Sequence, residues 1–398
     1  MQAEQKPVRR KKILVVVAVP MTIKAFLLPY LKRLAEKYDV TVASSAEKEN
    51  LCQELPEGVS FRRLDIRRAI NPLADAVTLL ALARLIRRED FKMVQSVTPK
   101  AGLLSMVAAW LSRTPVRLHI FTGQVWATRT GLFRWMLKNL DCLMASCATH
   151  LLADSHSQKA FLVGEQVVAP EKVDVLGKGS ISGVNLQRFR PDASIRNRIR
   201  EDLGYHGNDV LALFVGRLNR DKGVLDLVAA FAQVSPNLPT LALLLVGPDE
   251  GNLGAEIARI AGDNPRLRLL GETTRPEQFM AAADFFCLPS YREGFGSVVI
   301  EAAACGLPAI ASAIYGLTDA IEDGKSGCLH AVRDVAAIAA LLERFTVDRG
   351  LREAMGAYAR RRANSDFSTD TVVSAQLQFV NHLLAGQSAR PSGEVPPA

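Results

Sequence analysis

What the 398 residues lack narrows the field before any motif is read. Aromatic residues make up only 6% of the chain, while alanine, leucine and valine dominate; that suits parallel strands buried under helices better than an all-β sandwich. The six cysteines, Cys52, Cys142, Cys147, Cys287, Cys305 and Cys328, form no Cys-x-x-Cys pair, and several lie in apolar runs. They read as reduced, buried small hydrophobes of a cytoplasmic protein rather than as a disulfide framework. Long apolar runs are missing too. The best candidate for a membrane helix, Ala101 to Leu111, is interrupted by Ser105 and falls short of the roughly 20 residues a bilayer requires. Met1 to Lys12 is polar and the apolar stretch Ile13 to Val19 is too short for a signal peptide and has no cleavage site. No Gly-x-Gly-x-x-Gly follows the first apolar run, where Val19-Pro-Met-Thr-Ile-Lys24 stands, so an NAD pyrophosphate site is poorly supported. No Asp-x-Asp metal clamp stands out.

Acidic charge is the minority sign. The net charge of +8 is modest, but Arg9 to Lys12, Arg62 and Arg63, Arg67 and Arg68, and Arg84, Arg87 and Arg88 crowd the first quarter. Any one of these clusters is adequately explained as solvated surface. Together they suit an anionic lipid surface or a phosphate-bearing acceptor. They lack the interleaved aromatics of a single-stranded nucleic acid groove.

At 48% hydrophobic content the chain is long enough for two domains with separate cores, and strands and helices alternate along its length. Lys11 to Val19 reads as a first buried strand, followed by a helix from Ile23 to Tyr38. Further strands are predicted at 40–43, 93–97, 116–121, 150–153 and 172–176. After the Gly-rich, Pro-ended segment Gly177 to Pro191, the pattern restarts at Val210 to Leu218, with strands predicted at 241–246, 267–270, 284–288 and 309–311. The segment Asp366 to Leu384 reads as a capped amphipathic helix. The tail after Ala385 has little to pack.

The richest stretch is Leu288 to Ser312. An apolar strand stops at Pro289, Glu293-Gly-Phe-Gly296 follows, and a helix of small residues begins at Ser297, with Glu293 and Glu301 eight positions apart. Glycines let a backbone approach a ligand, and free N–H groups at a helix start favour an anion. An isolated pair of glutamates is as readily explained by a solvated helix face. Upstream, Phe214-Val-Gly-Arg-Leu-Asn-Arg-Asp-Lys-Gly223 sets Arg217 and Lys222 five apart in a second strand-to-helix loop.

These segments resemble the signature of the retaining nucleotide-sugar glycosyltransferases of family 4. Glu-Gly-Phe-Gly, the second glutamate, and Ala-x-x-x-Gly-x-Pro-x-Ile-Ala-Ser form a long ordered match, as do Gly-Arg-Leu-x-x-x-Lys-Gly and the Gly183 to Pro191 linker, in which Asn185 replaces the usual aspartate. The resemblance covers nearly the whole chain and is strongest from Gly177 to Ser312. It implies a GT-B α/β fold, two Rossmann-like domains whose parallel sheets face an interdomain cleft. The boundaries that follow are 1–12 for a basic tail, 13–185 for an acceptor-binding domain, 186–365 for a donor domain, 366–385 for a helix crossing back, and 386–398 for a disordered tail.

The resemblance also implies roles. Arg217 and Lys222 neutralise the leaving nucleotide diphosphate, Glu293 holds the donor sugar, Glu301 holds the ribose, and Gly216, Gly294, Phe295 and Gly296 complete the donor site. Two fixed cations make metal-independent transfer the expectation, with a UDP-linked sugar as substrate and no cofactor. Lys100, Thr122 and Gly123 are candidate contacts in the first half, and the acceptor implied is a saccharide on polyprenyl diphosphate in surface polysaccharide synthesis, reached at the inner face of the cytoplasmic membrane. His119 lies too early in its strand for the family's usual histidine and reads as a packed residue. Arg129, Arg134 and Lys138 beside the apolar residues of 128–144 suit membrane docking, or equally a helix packed into its own domain. Two other readings keep the fold: a nucleotide-sugar epimerase, disfavoured by Arg217, Lys222 and the glutamate pair, and a catalytically silent binding subunit. Donor hydrolysis or transfer by the isolated chain separates the last from a transferase.

Overall fold

A computed structural model describes residues 10–45, 54–66, 70–262 and 264–386. Of the expected tails 1–12 and 386–398, residues 1–9 and 387–398 lie outside the described residues, as do Cys52, Arg67 and Arg68. The chain divides into two compact units: Met1–Asp154 with Lys159–Gly177 and Val372–Ala398, and Ser155–Gln158 with Lys178–Thr371.

Among the described residues the first unit is built on seven strands, β1 (Lys12–Val16), β2 (Asp39–Ser44), β3 (Val59–Arg63), β4 (Met93–Val97), β5 (Val116–Phe121), β6 (His150–Ala153) and β7 (Val173–Asp174). They pair in the order β3-β2-β1-β4-β5-β6-β7, every pair parallel. Helices α1 (Leu28–Ala35), α2 (Pro72–Glu89), α3 (Pro99–Leu111), α4 (Gly131–Cys147) and α5 (His156–Gly164) make the crossovers. The second unit repeats the plan with β8 (Val210–Val215), β9 (Leu241–Val246), β10 (Leu267–Leu269), β11 (Phe285–Leu288), β12 (Ala309–Ser312) and β13 (Gly327–His330), in the order β10-β9-β8-β11-β12-β13 and again parallel. Its helices include α6 (Ala193–Asp202), α7 (Val224–Val234), α8 (Gly254–Ala261), α9 (Pro276–Ala282), α10 (Ser297–Ala304), α11 (Val335–Val347) and α12 (Arg349–Asp366). Val210-Leu-Ala-Leu-Phe214 and Leu241 to Val246 are buried throughout, as expected of parallel strands covered on both faces.

In both sheets the strand order reverses at one point, between β1 and β4 and between β8 and β11. Chains leaving neighbouring strands there turn to opposite faces, which opens a crevice at the strands' C-terminal ends. An ionic clasp fixes the other end of the second sheet. Arg196 and Arg200 both reach Asp284, at 2.6 and 3.1 Å, and Asp284 also accepts the Leu211 N–H at 2.7 Å.

Several expectations need correction. The first helix is not continuous from Ile23 to Tyr38: Pro20–Thr22 is one short turn, Ile23–Leu27 is a π turn and α1 starts at Leu28. Pro29 has no N–H to give and crowds the preceding turn, so widening that turn keeps the chain helical. The final helix, α13 (Thr369–Leu384), starts later than expected, and Ser368 rather than Asp366 caps it by accepting the Thr371 N–H at 3.1 Å. Asp366 ends α12 instead. Strands β3 and β13 were not expected. Among the described residues no helix is long and apolar enough to cross a membrane.

Candidate donor site and its surroundings

The second sheet's reversal point collects the loops that leave β8 and β11. Asn219 caps the short turn Arg220–Lys222 by accepting the Lys222 N–H at 3.1 Å, and the chain then passes through Gly223 into α7. Gly223 has φ +65°, and a Cβ there would lie 1.9 Å from the Pro289 carbonyl oxygen. Only glycine lets the β8 loop lie this close to the β11 loop. Tyr291 ties the same loops twice, its N–H donating to the Asp221 carbonyl at 2.8 Å and its hydroxyl to Asp226 on α7 at 2.7 Å. The Arg333 guanidinium sits 4.9 Å from the centre of the Tyr291 ring. Burial, then the Asp226 carboxylate, push the Tyr291 phenol up to about 12, so it stays protonated and donating.

Within this brace Lys222 Nζ donates to Glu293 Oε1 at 2.5 Å, and the Ser290 hydroxyl donates to the same oxygen at 2.8 Å. The second carboxylate oxygen of Glu293 is left for other partners. Arg217 turns to Glu250 at 2.9 Å in an exposed pair, which is weak and readily exchanged for a stronger anion. Both helices that begin here lack a side-chain cap. α7 starts on Gly223 and α10 on Gly296, whose φ of +83° is left-handed. Their first N–H groups are the natural partners of an anion.

Glu301 lies on α10, half-buried, and its carboxylate accepts no hydrogen bond from the described residues. Burial raises its carboxyl to about 7; Arg188 pulls it down and Glu277 pushes it up. Arg188 is itself bound to Glu277 at 2.8 Å and to the Thr274 carbonyl. Gly216 follows β8 directly, and its N–H donates to the Val246 carbonyl at 2.9 Å. Gly294 and Phe295 lie in the β11 loop, but the Phe295 ring is buried against Phe367, 5.2 Å between centres, so only its backbone is open to a ligand.

The remaining candidates belong to the first unit. Lys100, in the first turn of α3, is paired with Asp75 of α2 at 2.7 Å. Thr122 and Gly123 follow β5 at its C-terminal end, half-buried, and the Thr122 carbonyl accepts from the Gln124 side chain at 2.6 Å. His119 is buried on β5, bonded to Ser96 at 2.8 Å and packed over Gly102, where an added Cβ would come 2.4 Å from the ring. Burial lowers its pKa to about 3, so it is a neutral packed histidine, in line with the reading of its position.

Five residues carry no sign in the sequence of the part they play in the structure. Ser290 and Tyr291 stood inside the quoted motif without a role. Glu250 and Asp226 reach the site only through folding, 33 and 65 residues from their partners. Thr98, where β4 meets the first sheet's reversal point, adopts φ +79°, a conformation costing on the order of 1–3 kcal/mol for a β-branched residue. The following Pro99 signals an extended residue, not a left-handed one.

Two family models match, one described as glycosyl transferases group 1 over residues 195–362 and one as a glycosyl transferase 4-like domain over residues 23–179. The capsular polysaccharide biosynthesis glycosyltransferase CapM of Staphylococcus aureus is 30% identical, over 78% of this chain and 81% of its own. An Escherichia coli protein named UDP-Gal:alpha-D-GlcNAc-diphosphoundecaprenol alpha-1,3-galactosyltransferase is 28% identical, over 79% and 82%. Among solved structures, Anabaena HepE, crystallised with UDP and glucose, superimposes with a TM-score of 0.78 at 18% identity, covering 93% of this chain and 99% of that one. At that identity the likeness is one of fold, the GT-B plan of two Rossmann-like domains.

Proposed function

Because this chain belongs to the group 1 glycosyl transferases, and is a glycosyltransferase, we propose that it transfers a sugar with retention from a UDP-linked donor to a saccharide on polyprenyl diphosphate, in surface polysaccharide synthesis at the inner face of the cytoplasmic membrane. The observation that carries the reading is the Lys222–Glu293 contact at the reversal point of the second sheet. There a fixed cation and a fixed carboxylate stand side by side at the N-termini of two uncapped helices. A nucleotide-diphosphate sugar presents the complementary pair, an anion and a ring of hydroxyls.

In this reading Lys222 leaves Glu293 for the diphosphate, Arg217 leaves Glu250 to do the same, and Glu293 accepts hydrogen bonds from the donor sugar. Glu301 accepts from the ribose diol. As the bond from the anomeric carbon to the phosphate oxygen breaks, negative charge grows on the diphosphate and positive charge on the sugar. Lys222, Arg217 and the two helix starts stabilise the first, and Glu293 stabilises the second. The acceptor hydroxyl attacks from the side the diphosphate leaves, and its proton passes to a departing phosphate oxygen. The protein supplies the countercharge itself, so this step calls for no metal and no cofactor. Lys100, Thr122 and Gly123, at the C-terminal edge of the first sheet, are proposed for the acceptor side.

The names of the relatives support the donor and acceptor classes, since the Escherichia coli protein is named for UDP-galactose and a diphosphoundecaprenol-linked sugar. The test is a screen of nucleotide sugars for thermal stabilisation of the chain, followed by transfer of radiolabelled sugar to a membrane lipid extract. Stabilisation by a UDP-sugar and label in the lipid fraction are expected. Labelled free sugar with none in lipid would overturn the acceptor, and no stabilisation by any nucleotide sugar would overturn the donor.

A further inference from the structure

Fifteen large apolar side chains are exposed among the described residues, and nine of them lie on just three helices, α2, α3 and α4. These helices follow β3, β4 and β5 in turn, and α3 packs against both of the others, so their outer sides form one surface. On α2, Leu73, Val77 and Leu80 recur at helical spacing and are 83%, 67% and 54% exposed. Trp110 ends the stripe on α3, and Leu132 and Trp135 stand out on α4, at 54%, 79% and 62%. A soluble monomer scatters such residues singly; a gathered patch marks an interaction surface.

The charge on the same surface selects the occupant. Four acids on or beside these helices, Asp75, Glu89, Asp90 and Glu165, are each paired with a lysine of the chain at 2.7–2.9 Å. Arg84, Arg88 and Arg129 are exposed and make no ion pair with a described residue. The face is therefore apolar with a net positive rim, and two tryptophans are among its exposed residues. That combination fits an anionic lipid surface, with leucines entering the acyl boundary, indoles at headgroup level and guanidinium groups on lipid phosphates. A second copy of the chain would bring equal positive charge to the same place.

We infer that the α2–α3–α4 face of the first unit docks flat on an anionic bilayer. Helices α2 and α4 are about 25 Å long, and each runs opposite to its parallel strands, so the exposed residues at their starts lie at the C-terminal edge of the sheet. Lys100, Thr122 and Gly123 lie on that edge, which brings the proposed acceptor contacts toward the lipid. The inference extends the lipid-linked acceptor reading but is tested without it.

The full chain is sedimented with vesicles containing about 30 mol% phosphatidylglycerol and with phosphatidylcholine alone. Strong binding to the first and weak binding to the second are expected. The variant Leu73→Glu/Val77→Glu/Leu132→Glu should lose at least about tenfold in binding, and Arg84→Glu/Arg88→Glu should lose binding to the anionic vesicles. Both variants should keep the wild-type melting temperature within a few degrees, which reports an intact fold. A wild-type chain that stays in the supernatant, or a triple variant that binds normally, would overturn the inference. So would a wild-type dimer that the triple variant converts to monomer with vesicle binding unchanged, because the face would then be covered by a second copy. Vesicle binding without transfer to lipid would count against the acceptor reading and leave the docking face standing.

Discussion

Lys222 Nζ and Glu293 Oε1, 71 residues apart in sequence, meet at 2.5 Å where the second sheet reverses its strand order. The contact holds the two opposite charges together until a ligand separates them. Glu293→Ala should leave the melting temperature within a few degrees of wild type and lower kcat/KM by on the order of 100-fold or more, as loss of one preorganised charge does elsewhere. Lys222→Ala should do the same. Steady-state transfer alongside thermal melting checks both, and near-normal activity in Glu293→Ala would remove this residue from the chemistry.

Tyr291 acts through the loops it joins and touches no reacting atom in this account. Tyr291→Phe deletes the bond to Asp226 but keeps the ring under Arg333 and the N–H bond to Asp221. The expected outcome is a rise in donor KM of about 3- to 10-fold, corresponding to one net hydrogen bond, with kcat changed less. Asp226→Asn, which retains an acceptor oxygen, should be milder than Asp226→Ala. Equal effects of the two would argue against the bond.

Glu301 gives the site a pH dependence of known sign. Its carboxyl is raised from the usual range to about 7 by burial, so folding is favoured when it is protonated and that stability is lost as pH rises through about 7. A donor diol prefers the ionised acceptor, so binding of UDP should tighten as pH rises toward 7 and level off above it. The slope cannot exceed about tenfold per pH unit for one proton. Glu301→Gln should flatten the profile; an unchanged profile in that variant would assign the titration to another group.

Asp284 separates stability from catalysis within the same unit. It is held by Arg196, Arg200 and the Leu211 N–H at the end of the sheet opposite to the loops of Lys222 and Glu293. Asp284→Ala leaves the buried Arg200 without its carboxylate and should destabilise by about 3–5 kcal/mol. Denaturant unfolding measures this. Residual folded enzyme should bind UDP normally.

The legible parts of this chain are those whose physics is local. β9, Leu-Ala-Leu-Leu-Leu-Val, is an unbroken apolar run, as a parallel strand buried on both faces requires, and the more interrupted apolar stretches of β4, β5 and β6 were likewise predicted to the residue. β3, Val-Ser-Phe-Arg-Arg, is an edge strand with one buried residue and reads as loop, and the four-residue β13 begins on a glycine. The residues proposed for the donor could be singled out because glycines and charges recur at fixed offsets within two segments. Their partners were not, because nothing near Arg217 points to Glu250 and nothing near Tyr291 points to Asp226. The exposed stripe of α2 was also hidden, since Leu73, Val77 and Leu80 have the spacing of a core face and only the fold leaves them outside.

The central claim is that Arg217, Lys222, Glu293 and Glu301 hold a nucleotide-diphosphate sugar without metal. Titration calorimetry of UDP into the chain, in the presence of a chelator, tests it most directly. The expected result is saturable binding that is weakened at least about tenfold in Lys222→Ala and in Arg217→Ala, the loss of one charge-assisted contact to phosphate. Binding that appears only when a divalent cation is added, or that is the same in both variants as in wild type, would contradict it.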